Sequence, residues 1–185
     1  MVAGLVAAGC GRDEVTHFTV RKAPGSPSAP AGPVPPGMEG DVAPPPAPST
    51  GLRWTLPKGW NEKREGGMRY ATLTPPVTGR IDGSVVVLPG PAGGELSNVN
   101  RWRSQIGLEP IDEAALARAR RALKSQAGTL SVYDFTSDGT KKSRVVAGLF
   151  EAGGSTWFVK LTGDAEAVAS ARPDFVRIME SLRLE

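Results

Sequence analysis

Between positions 51 and 185 short apolar and mixed runs follow one another, and two stretches break that rhythm with a helical period. Leu96, Val99, Trp102 and Ile106 recur at steps of three, three and four, which is one face of an α-helix. Asn98, Arg101 and Gln105 repeat on another face. Val99 and Trp102 are therefore expected to meet a sheet, while Arg101, about 100° round from Trp102, points elsewhere. Ser97 is the expected N-cap, because its hydroxyl can accept from a first-turn N–H. Gly107 and Pro110 end the helix. The second stripe is Val168, Phe175, Met179 and Leu182, with Pro173 either kinking that helix or opening its second half. A short third helix runs from its cap Asp112 to about Arg118.

The remaining apolar runs read as strands. They are Leu52–Leu56, Met68–Leu73 and Arg80–Leu88, then Arg120–Ser125 paired with Thr129–Phe135 across Gln126–Gly128. Arg144–Glu151 and Thr156–Leu161 form a hairpin around Gly153-Gly154. Val85–Leu88 is apolar at every position, so that strand is expected to be covered on both faces. Asp82-Gly83 marks a bulge or a turn inside it. Strands that arrive as hairpins, with helices between and after them, specify an α+β fold with helices packed on an antiparallel sheet. Aromatic side chains dominate burial, so most of Trp54, Trp60, Trp102 and Trp157 are expected in the core. Trp60, in the turn Pro57–Trp60, is the one expected to be partly exposed.

Composition divides the chain. Most of its 17 prolines fall in residues 23–50, among Gly, Ser and Ala. Such a segment cannot bury a core and favours extended polyproline conformations, so it reads as a disordered linker. Residues 51–185 form the folded domain, of ordinary size for one core. Residues 11–22 are a short segment holding His17, the only histidine. Residues 1–10, MVAGLVAAGC, resemble the end of a bacterial lipoprotein signal, with small residues ahead of Cys10. Cys10 is the only cysteine, so no intramolecular disulfide can form. Neither Lys nor Arg precedes it and the apolar core is short, which points to a start upstream of Met1 or to a chance match. The resemblance implies lipidation at Cys10, with a lipid bilayer as partner. The chain would then sit at the cell envelope, facing the periplasm or the exterior.

The folded part contains no Cys and no His. This excludes Ser-His-Asp and Cys-His catalysis and the ordinary zinc sites. Asp82, Asp112, Glu113, Asp134, Asp138 and Asp164 sit at expected turns, caps and strand ends, and none pairs by spacing, so no catalytic residue, metal site or cofactor is expected. The net charge is +3, and Arg118, Arg120, Arg121 and Lys124 cluster. They lack interleaved aromatics, so they read as a solvated face and not as a nucleic-acid site. The loop Gly90–Gly94 before a helix has two readings. It is an anion site in which Gly93, Gly94, Asn98, Arg101, Arg103 and Gln105 take a ligand or partner, or it is a turn braced by the same side chains. Glu95 follows Gly94, so the phosphate-loop ending is missing.

Five strings carry a resemblance: Trp54-x-x-Pro57-x-Gly-Trp60, Met68-Arg-Tyr-Ala-Thr72, Gly90-Pro-x-Gly-Gly94, Asn98-Val-Asn-Arg-Trp-Arg103 and Thr156-Trp-Phe-Val-Lys-Leu-Thr-Gly163. Together they resemble a family of bacterial exported lipoproteins whose folded part is similar to the PsbP-like α/β/α sandwich. The resemblance implies a membrane-tethered, non-enzymatic accessory or binding role in the envelope, with an envelope protein as partner. The alternative is a small-ligand or anion-binding domain that uses the Gly90–Gly94 loop and the arginines after it.

Overall fold

The computed structural model describes residues 51–185. The lipidation site Cys10, the segments 1–10 and 11–22 and the linker 23–50 lie outside the described residues. In chain order come β1 (Leu52–Arg53), β2 (Asn61–Arg64), β3 (Arg69–Thr74), β4 (Ile81–Pro89), α1 (Glu95–Gln105) and α2 (Glu113–Ala119). Then follow β5 (Arg121–Ser125), β6 (Gly128–Thr136), β7 (Ser143–Ala152), β8 (Ser155–Asp164), α3 (Ala165–Glu180) and β9 (Arg183–Leu184). One antiparallel sheet has the order β2-β3-β4-β8-β7-β6-β5, and β1 pairs with β9 in a separate ribbon. The fold is thus α+β, an antiparallel sheet between helices.

Alternation along the central strands builds two cores. Val85 and Val87 of β4, Trp157, Val159 and Leu161 of β8, and Val146 and Phe150 of β7 face α3. There they meet Val168, Ala171, Phe175, Ile178 and Met179. The intervening residues Val86, Leu88, Phe158, Val145 and Ala147 face α1 and α2, against Val99, Trp102, Ile106 and Leu116. The run Val85–Leu88 thus has one face, Val85 and Val87, buried under α3, while Val86 and Leu88 on the other are only half-buried beside α1. Gly148 admits α3 to the sheet, since a Cβ there would lie 2.9 Å from the Met179 sulfur.

Four sequence expectations are corrected. Strand β1 stops at Arg53, not Leu56, because it pairs only with the two residues of β9. Asp82-Gly83 is neither turn nor bulge. Both residues lie in regular β4, opposite Thr162 and Leu161, and the register shift falls at Arg69/Ala71 of β3. Trp60 is buried, because its ring stacks on Phe175 (centroids 6.5 Å apart) and its indole N–H donates to Asp174 (3.2 Å). Ser97 is not the N-cap. Helix α1 begins three residues earlier, with Gly94 in that position at φ 79° and no side-chain cap. Asp112 does cap α2, accepting from the Ala115 N–H at 2.8 Å. Pro173 lies inside α3 on its exposed side, where water can serve the Ala169 carbonyl that loses its N–H partner. β2 was not foreseen. All four of its residues are exposed, so it has no apolar pattern to read.

Candidate functional site

Helix α1 is held at its start by the loop before it. The Asn98 carboxamide donates to the carbonyls of Ala92 (2.9 Å) and Gly94 (2.7 Å), and Arg101 donates to the Asn98 carboxamide oxygen. Gly90 accepts from the Thr156 hydroxyl at 2.6 Å and donates to the Gly154 carbonyl at 3.0 Å. The polar groups of the loop are thus largely turned inward. Glu95 also occupies the first turn of α1, where an incoming anion would meet its charge. It is bound in turn by Arg120 and by the Tyr133 hydroxyl (2.7 Å). Burial raises the Glu95 pKa, but hydrogen bonds from Tyr133, Ser131 and Arg120 outweigh it and the net shift is downward. Burial and the bond to Glu95 push Tyr133 up to about 12.

The opposite end of α1 is different. Trp102 packs edge-on against Phe158, with centroids 6.1 Å apart. Beyond this pair the helix leaves part of the sheet uncovered, and a cavity of about 230 Å³ opens. Its polar lining is Arg69, Asp82, Ser84, Arg101, Gln105 and Lys160, and its apolar lining is Val86, Leu88, Trp102 and Phe158. Register explains the convergence. Ser84 of β4 lies opposite Lys160 of β8, and Lys160 lies opposite Ala147 of β7, so the lysine stands well inside the sheet. Asp82 lies two residues along the same face of β4.

The charges in this cavity do not cancel. Arg69 takes the one carboxylate, donating to Asp82 at 2.6 Å, and it also binds the Thr72 hydroxyl at 2.8 Å. Lys160 donates to the Gln105 amide oxygen at 3.1 Å and has no ion pair among the described residues. Arg101 likewise has an amide partner. Burial lowers the Lys160 pKa below the ordinary lysine value; Asp82 opposes that shift, while Arg101 and Arg69 add to it. The protonated lysine therefore costs the folded state stability.

Of the site residues expected from sequence, the structure brings Arg101 and Gln105 to this cavity. Gly93 and Gly94 lie exposed in the loop before α1, and Asn98, in the helix's first turn, is buried and closes that loop. Arg103 lies apart, donating to the Glu109 carbonyl at 2.8 Å with its guanidinium 4.8 Å from the Phe135 ring. Sequence reasoning missed Arg69, Asp82 and Lys160. One signal was available: a lysine at an inward position of a strand between Val159 and Leu161 is unusual unless something compensates it.

No protein-family model and no curated protein matches the chain. Solved structures do. One, from Bacteroides thetaiotaomicron VPI-5482, is 10% identical with a TM-score of 0.45, over 72% of this chain and 45% of its own. The chain thus spans less than half the length of that protein. LpqN of Mycobacterium tuberculosis, described as involved in cell envelope biogenesis, is 12% identical with a TM-score of 0.44, over 76% of this chain and 86% of its own. The cyanobacterial PsbP, CyanoP, of Synechocystis sp. PCC 6803 is also 12% identical with a TM-score of 0.44, over 80% of this chain and 100% of its own. The α+β fold itself, an antiparallel sheet layered between α3 and the α1–α2 pair, is read from the strand order and the two cores.

Proposed function

We propose that this chain is a non-enzymatic, membrane-tethered binding protein of the cell envelope, and that its folded domain takes a small anion in the cavity beside α1. The carrying observation is the imbalance of charge. Lys160, Arg101 and Arg69 line the same cavity as one carboxylate, Asp82, which Arg69 already pairs. A ligand anion would supply the missing partner for Lys160 and would be held by charge-assisted hydrogen bonds. The absence of Cys and His from residues 51–185 favours binding over catalysis. The tether rests on the small-residue run ahead of Cys10.

Titration of the full chain with acetate, benzoate and inorganic phosphate, read by calorimetry, tests the site. At least one should bind saturably, and Lys160→Met should abolish that binding. The same variant should melt higher, because it removes a desolvated charge, by about 2–4 °C for each kcal/mol recovered. Binding that survives Lys160→Met, or no binding by any of the three, refutes the site. For the tether, Cys10→Ser expressed with the native upstream sequence should shift the protein from the membrane to the soluble fraction. Unchanged partitioning and mass would rule lipidation out.

A further inference from the structure

The cavity beside α1 has a second half that bare charge does not explain. Val86, Leu88, Trp102 and Phe158 form a continuous apolar wall next to the three cations. Resting on the anion-binding reading, we infer that the ligand is a monocarboxylate with a short apolar body, its carboxylate at Lys160 and Arg101 and its hydrocarbon against Val86, Leu88 and the Trp102–Phe158 pair. Three features of the cavity select this class.

The first is charge. Arg69 already pairs Asp82, which leaves Lys160 and Arg101 as the two cationic donors for one incoming carboxylate. The second is geometry. The Arg101 guanidinium matches a planar carboxylate with two parallel N–H groups. The third is size. The cavity of about 230 Å³ lies below the roughly 300–1,000 Å³ of sites for drug-sized ligands. It equals about seven or eight volumes of a liquid water molecule at about 30 Å³ each. That is close to the heavy-atom count of hexanoate. A small hydrophilic anion would leave the apolar wall wetted and forgo its burial.

The test is a calorimetric series on the full chain with acetate, butanoate, hexanoate and decanoate, and with inorganic phosphate at matched pH and ionic strength. Affinity should rise about three- to fourfold for each methylene up to hexanoate. It should then level off at decanoate, whose extra carbons would leave the cavity. Phosphate should bind more weakly than hexanoate. Val86→Ser should flatten the series, bringing the hexanoate-to-acetate affinity ratio down towards one. Equal affinity for acetate and hexanoate, or tighter binding of phosphate, would overturn the apolar-body assignment and leave the anion site standing. No binding by any of the five would overturn both. A steady rise through decanoate would also refute the assignment, because the cavity would then not be setting the length.

Discussion

Trp102→Ala is expected to cost about 3–5 kcal/mol, the usual range for truncating a buried tryptophan. A domain of this size holds roughly 5–15 kcal/mol in total, so much of its stability would go. Trp102 is 4% exposed, flanked on its helix by Val99 and Ile106 and set edge-on to Phe158 of β8. Its ring is a main tie between α1 and the sheet, because the polar bonds of Asn98 hold only the start of the helix. Its loss would leave a void that one helix end cannot close. Urea unfolding of the full chain measures this, with the midpoint falling sharply in Trp102→Ala. Arg101→Lys provides the contrast. Arg101 is exposed and its hydrogen bond is to Asn98, so that change should stay within about 0.5 kcal/mol. A Trp102→Ala protein as stable as the parent would refute the assigned helix orientation.

The orientation of α1 was legible because a helix with one buried face shows its period directly. Val99 and Trp102 are buried and Arg101 is exposed, as the spacing requires. The hairpin pairs β5–β6 and β7–β8 were legible for the same kind of reason, since local turns join alternating runs. What was not legible depends on contacts distant in sequence. Trp60 is buried by Phe175, over a hundred residues away, and nothing in the turn around it announces that. The cavity is assembled from Arg69, Asp82, Arg101 and Lys160, which sit on four separate elements. Only the strand order, with β4 between β3 and β8, brings them together. The glycine loop drew attention because phosphate sites use such loops, yet here Asn98 is spent closing it.

Gly83 shows how the same limit hides a large effect. Read locally, Asp82-Gly83 suggests a turn. In the sheet Gly83 sits between Leu73 of β3 and Leu161 of β8, and a Cβ there would lie 2.3 Å from the Leu73 carbonyl oxygen. The obstructing atom is backbone, so no rotamer change relieves it. Gly83→Ala must push β3 away from β4. Strand β2 joins the sheet only through β3, so both strands would be loosened together. Overpacking of this kind typically costs about 1–3 kcal/mol, and the backbone obstacle places Gly83→Ala at the upper end. Arg69 is carried on β3 and also donates to the Gly83 carbonyl at 3.3 Å, so the same substitution should weaken anion binding as well as stability. Gly66→Ala is the control. No atom lies within 4 Å of its added Cβ and its backbone is not left-handed, so it should be neutral or gain up to about 1 kcal/mol. Denaturation midpoints for the two variants settle the matter. If Gly83→Ala unfolds at the parent's midpoint, β3 does not lie as close to β4 as this register requires.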